Sequence, residues 1–169
     1  MDRRLCLGAL AVAALSGGGP VAAQSLRKAW PAGKPTPALQ LPAMDAAPWR
    51  LASERGHAVL LNFWASWCEP CQAEMPSLEQ LALSQREGGL RVVAVNYREG
   101  EPAMKRFLAK VPLRLPVVRD ADGAAARAFG INIFPSTVAI DRKGRARFIV
   151  VGEFDWGGPA GMEAIRPLL

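Results

Sequence analysis

The chain has 169 residues, half of them hydrophobic and 21% charged, with a formal net charge of +6. That length and balance fit one globular domain with an ordinary core and exclude a disordered or fibrous chain. The basic charge comes with no nucleic-acid motif and no internal repeat.

The first residues read as a leader. Asp2-Arg3-Arg4 is charged, residues 5–15 are apolar but shorter than the ~20 residues that cross a bilayer, and Val21-Ala22-Ala23 offers small residues to a signal peptidase. We expect residues 1–23 to be a secretory signal peptide and the protein to be periplasmic. The alternative is a retained segment that anchors the domain to the membrane. Cys6 lies near the start of the apolar stretch, which is not a lipoprotein pattern. Without residues 1–23 the chain loses Asp2, Arg3 and Arg4, so its net charge is +5.

Residues 24–37, rich in Pro, Ala and Lys, read as a linker, and residues 38–169 as the folded domain. Leu39-Gln40-Leu41 and Trp49-Arg50-Leu51 flank a turn-like stretch and suggest a short β-hairpin. Residues 53–56 form a turn. The apolar run 58–64 reads as a buried strand, and residues 72–87 as a helix with Met75, Leu78, Leu81 and Ala82 on one face. Gly88-Gly89 breaks the chain before a second buried strand, 90–96. A helix from Glu101-Pro102 to Lys110 turns Met104, Phe107 and Leu108 inward. Residues 115–118 are extended, and residues 123–129 form a short helix ended by Gly130. Residues 136–140 and 145–151 make a hairpin around Asp141-Arg142-Lys143-Gly144. Gly157-Gly158-Pro159 opens a last helix. Strands alternating with helices, then a terminal hairpin and helix, describe an α/β domain with a central mixed sheet flanked by helices. Arg142, Lys143, Arg145 and Arg147 read as a solvated turn and strand edge; an anionic membrane surface or an acidic partner is the other reading.

Beyond the leader two cysteines remain, in Trp67-Cys68-Glu69-Pro70-Cys71, where the first central strand gives way to a helix. Unpaired N–H groups and the positive end of the helix dipole favour a thiolate there. So short a loop gains little from closure, so the pair reads as a redox centre and not as a staple. Zinc would need two further ligands, and the chain has one histidine, His57, and no second cysteine pair. Haem attachment would need a histidine where Gln72 stands. We therefore expect no metal and no cofactor other than a redox-active Cys68–Cys71 disulfide. His57 reads as a solvated residue at a strand start, Trp64 as core and Trp67 as part of a docking surface. Pro70 stiffens the turn between the cysteines. Glu69 places negative charge near Cys68 and opposes thiolate formation, which favours a reductant over an oxidant.

The run from Asn62 to Cys71, then Glu74-Met75-Pro76, then Pro135, resembles the thioredoxin superfamily and, within it, the extracytoplasmic TlpA/ResA-like branch. The resemblance covers most of the chain after residue 35. It implies a thioredoxin-like fold with an N-terminal β-hairpin extension and dithiol–disulfide exchange. Cys68, expected at the exposed end of the helix, reads as the attacking thiolate, and Cys71, one turn inside, as the resolving thiol. The resemblance implies a cis Pro135 facing the cysteine pair, with the backbone before it free to pair with an extended substrate segment and Phe134 flanking the site. The branch often has Gly where this chain has Ile133. It gives Glu74 a part in managing protons, for which a buried carboxylate with a raised pKa is suited. Asn62 stands where thioredoxin has a buried aspartate, so that proton route is missing. Pro76 marks a helix kink, and Trp156 resembles the lead into the last helix and reads as packing.

The expected function is a thiol–disulfide oxidoreductase that reduces disulfides in exported proteins, monomeric and fed by a membrane thiol reductant. The resemblance suggests cytochrome c apoproteins or copper-site assembly proteins as clients. The alternatives are a thiol oxidant or isomerase, or a non-catalytic binding module on the same fold. A peroxidase site of the Pro-x-x-x-Thr-x-x-Cys kind is absent from the sequence.

Overall fold

The computed structural model describes residues 26–44 and 46–169. The leader expected at residues 1–23 lies outside the described residues. Among the described residues no helix is long and apolar enough to cross a membrane.

A six-stranded sheet forms the centre, in the order β1-β8-β7-β4-β5-β6. Its strands are β1 (Leu26–Ala29), β4 (Ala58–Trp64), β5 (Leu90–Tyr97), β6 (Val117–Asp120), β7 (Ser136–Ile140) and β8 (Ala146–Val151). The hairpin β2 (Gln40–Leu41) and β3 (Trp49–Arg50) forms a separate pair. Helices α1 (Glu69–Ser84) and α2 (Glu101–Lys110) make the crossovers from β4 to β5 and from β5 to β6, and both strand pairs are parallel. The β4–β7, β7–β8 and β1–β8 pairs are antiparallel. Helices α3 (Ala124–Phe129) and α4 (Pro159–Ile165) complete the set.

All seven residues of β4 are buried because both faces of the sheet are covered. Strand parity divides them. Ala58, Leu60 and Trp64 join Met75, Leu78 and Leu81 of α1, Met104 of α2 and Ile165 of α4 in one core. Val59, Leu61 and Phe63 join Leu41, Leu51 and Phe129 in the other. Asn62 lies on the α1 side by the same parity.

Several features differ from the sequence reading or add to it. Part of the stretch read as a linker, Leu26–Ala29, is the edge strand β1, paired residue by residue with β8. All four of its side chains are exposed, so no apolar alternation marks it, and backbone pairing to β8 holds it. The expected hairpin is present, and the loop between its two strands adds to the sheet: Met44 N–H donates to Val117 O and Arg119 N–H to Pro42 O. His57 is half-buried instead of solvated, with Nε2 3.0 Å from an Arg91 guanidinium nitrogen. Of the late basic cluster, Arg145 and Arg147 pair with Asp141, and Arg142 donates to Gly88 O.

Helix α3 starts against a buried carboxylate. Asp120, at the end of β6, accepts from Ala125 N–H at 3.0 Å and Ala126 N–H at 2.9 Å. These amides have no intrahelical partner, so Asp120 does the work of a cap from the neighbouring strand. Asp120→Ala is expected to lower unfolding free energy by about 2 kcal/mol, read as a lower urea midpoint at unchanged slope.

Candidate active site

Strand β4 delivers the chain to the site and α1 receives it. Cys68 is the N-cap of α1, and its Sγ accepts from Cys71 N–H at 3.3 Å. The helix begins at Glu69, one turn earlier than the apolar periodicity suggests, because Pro70 and the cap suit its first turn. Cys68 and Cys71 form a disulfide. Sequence reading puts Cys68 at an exposed helix end, but the residue is only 5% exposed. Its sulfur is turned inward to Cys71, beneath the neighbouring side chains.

Those neighbours are aromatic. Trp67 is 66% exposed and meets Phe134 edge-on, with ring centroids 6.1 Å apart. Phe134 lies 4.6 Å from the Tyr97 ring. Ile133, next to Phe134, is 52% exposed. The Phe134–Pro135 bond is cis. The expected residues Cys68, Cys71, Trp67, Phe134 and Pro135 thus gather where the β4–α1 junction meets the loop before β7. Glu69 and Pro70 face solvent on the first turn of α1.

Glu74 lies one turn beyond Cys71 on α1, 2% exposed. Its Oε1 accepts from Asn62 Nδ2 at 2.9 Å and from Trp156 Nε1 at 3.0 Å, and its Oε2 accepts from Phe154 N–H at 3.0 Å. The second N–H of Asn62 goes to Thr137 Oγ1 at 3.0 Å. Burial pushes the Glu74 carboxyl up to about 7, although the Phe154 and Trp156 hydrogen bonds pull it down. Asn62 is an amide that carries no titratable proton, and it donates to the Glu74 carboxyl instead.

A second carboxylate shapes the approach to Cys68. Glu99 accepts from Ser66 N–H at 2.7 Å, from the Ser66 hydroxyl and from Asn96 Nδ2 at 2.7 Å. Gln72 of α1 donates to Ser66 O at 2.8 Å. Arg98, with φ of +53°, turns the chain out of β5 just before Glu99. Sequence reading missed Glu99, Ser66, Phe154 and the polar contact of Trp156. A buried amide at Asn62 facing α1 is the one sequence signal that asks for a partner such as Glu74.

The Glu74 shift carries a stability consequence. A carboxyl whose folded pKa lies above its unfolded value costs nothing below about pH 4.5 and becomes destabilising as pH rises toward about 7. The full difference is about 3 kcal/mol. In the oxidised protein, the stability of wild type relative to Glu74→Gln is expected to fall by about that amount between pH 4.5 and pH 8, measured by urea unfolding across pH.

The redoxin family model matches residues 31–165. The thiol–disulfide oxidoreductase ResA of Geobacillus thermodenitrificans is 32% identical over 71% of this chain and 69% of its own length. ResA of Bacillus thuringiensis is 31% identical over 72% of this chain and 70% of its own. Among solved structures, a Chlorobium tepidum protein assigned as a thiol:disulfide interchange protein DsbE aligns at TM-score 0.70 and 33% identity, covering 80% of this chain and 93% of that one. A secreted Mycobacterium tuberculosis disulfide oxidoreductase homologous to DsbE aligns at TM-score 0.58 and 30% identity, covering 65% and 81%. With a thioredoxin-like fold and a cysteine pair at the head of its first long helix, the chain belongs to the redoxin family and is a thiol–disulfide oxidoreductase similar to ResA.

Proposed function

We propose that the protein works in the periplasm as a reductase of disulfides in exported proteins, with cytochrome c apoproteins or copper-site assembly proteins as clients. The observation that carries the reading is the Cys68–Cys71 disulfide at the helix head, beside a solvent-facing aromatic ledge of Trp67 and Phe134. An extended client segment lies along the ledge and the Ile133–Phe134 backbone, with its disulfide over Cys68. The Cys68 thiolate attacks one client sulfur, and the other leaves with the electron pair of the broken bond. Cys71 then loses its proton, attacks Cys68 and releases the second client thiol. Glu74, one turn along the same helix face, receives that proton. Two electrons have passed to the client, and a membrane thiol donor restores the Cys68–Cys71 dithiol by the reverse exchange. Catalysis uses no cofactor beyond the cysteine pair, and the protein acts as a monomer. The leader expected at residues 1–23 and the secreted location of the M. tuberculosis relative support the periplasmic placement.

The opposite direction, oxidation of client thiols, has one observation in its favour. The Cys71 N–H that points at Cys68 Sγ stabilises a thiolate, and strong oxidants stabilise their reduced form. Exposed Glu69 acts against it.

Insulin disulfide reduction by the purified protein is expected to fall to the uncatalysed rate in Cys68→Ala, whereas Cys71→Ala accumulates a mixed disulfide. Full activity in Cys68→Ala would refute the reading and leave a non-catalytic binding module. The equilibrium potential of the pair separates the directions: about −270 mV fits a reductant and about −120 mV an oxidant.

A further inference from the structure

We propose that Trp156 is a positioning residue of the exchange reaction, its indole N–H and the Phe154 amide holding Glu74 as a carboxylate on the helix face that carries Cys71. The inference deepens the mechanism proposed above and rests on it for the part Glu74 plays.

The geometry is a strap. The segment between β8 and α4 starts with Gly152, whose N–H donates to Pro135 O at 2.9 Å. Two residues on, Phe154 N–H reaches Glu74 Oε2, and Trp156 Nε1 reaches Glu74 Oε1. Trp156 N–H donates to Ser77 Oγ at 3.2 Å, and that hydroxyl donates to Glu74 O at 2.8 Å. One short segment therefore ties the loop that carries Pro135 to the side chain and the backbone of Glu74. The far side is fixed as firmly. A Cβ on Gly161 would lie 2.1 Å from Trp156 O, so α4 presses its backbone directly against the strap. Trp156 is fully buried, with Phe154 packed edge-on at 4.8 Å between centroids.

Packing alone does not require this arrangement. A phenylalanine would fill most of the same core space, but it would leave Oε1 with Asn62 as its remaining donor. A buried carboxylate that loses a hydrogen bond keeps its proton to higher pH. The groups around Glu74 come from every neighbouring element: Asn62 from β4, Thr137 from β7, Phe154 and Trp156 from the strap, and the cysteines on α1. None of these apart from the cysteines of the reduced protein carries an ionisable group. Glu153, the next charged group, opposes ionisation of Glu74. The donors are therefore the main device that offsets burial. When Cys71 attacks Cys68, its proton passes to Glu74, the Cys68–client S–S bond breaks, and the client sulfur leaves as a thiolate with the electron pair. That step needs Glu74 ionised beforehand, so a lost donor moves the acid limb of the reaction upward.

The test is the pH dependence of insulin reduction by the full-length protein in wild type, Trp156→Phe, Glu74→Gln and the double variant. The acid limb of Trp156→Phe is expected to move up by about one pH unit, about a tenfold lower rate on the acid side. Trp156→Phe is expected to cause no shift in the Glu74→Gln background. A carboxyl 13C NMR titration of Glu74 in the oxidised protein should show the same upward displacement. An unmoved limb in folded Trp156→Phe, or an equal shift without Glu74, would overturn the proposal. If Trp156→Phe does not fold, benzothienylalanine at position 156 keeps the ring size and lacks the N–H; the same shift is expected, and its absence overturns the proposal. If wild type exchanges no disulfide at all, the functional reading fails, and the carboxyl titration still decides the part assigned to Trp156.

Discussion

A carboxylate buried under the sheet's first helix is the constraint on which the rest of this structure depends. Isolated in an apolar core, an ionised Glu74 would be too costly to keep. Here it is met by donors from β4 and from the β8–α4 segment, two regions that meet only when the sheet is complete. The ladder that pairs β4 with β7 and β7 with β8 brings them together. The polar contacts of Glu74 therefore fix how the C-terminal part of the domain sits on α1, and the folded sheet in turn keeps the carboxylate within reach of the cysteine turn.

The other side of the site is held by similar means. Glu99 grips the backbone and hydroxyl of Ser66, and Gln72 grips its carbonyl. The residue before Trp67 is thus fixed from β5 and from α1. A rigid stem lets a large ring stand in solvent without lying down on its own surface. The cysteine turn is flanked by two carboxylates with different environments: Glu74 is buried, with burial raising its pKa and its donors pulling it back, whereas Glu99 is partly exposed and spends its oxygens on positioning.

What the sequence made legible was local or carried by motif. The cysteine spacing, Pro70 and the apolar face of α1 lie within one stretch, and Glu74 falls on the same helix face by simple periodicity. The α/β order followed from alternating apolar runs. What stayed hidden was tertiary. The donors to Glu74 come from positions 12, 80 and 82 residues away, and no local pattern pairs them. Trp156 reads as packing because its ring is indeed core; only the partner of its N–H shows more. Leu26–Ala29 has no strand signature, since its side chains all face solvent and its stability comes from main-chain pairing. Cys68 reads as exposed because helix ends usually are, but capping its own helix draws its sulfur inward.

The amide at Asn62 has a consequence for how this site is titrated. With an aspartate there, two carboxylates would share one buried space and release protons in steps belonging to the pair. With asparagine, and with both sulfurs tied in the disulfide, Glu74 is the one ionisable side chain in the immediate buried shell among the described residues. The oxidised domain thus provides a reference curve for Glu74 without the thiols, with Glu153 acting on it in both states. When the disulfide opens, any splitting or displacement of that curve is the electrostatic conversation between the carboxylate and the new thiols, separated from every other contribution by subtraction of two states of the same molecule.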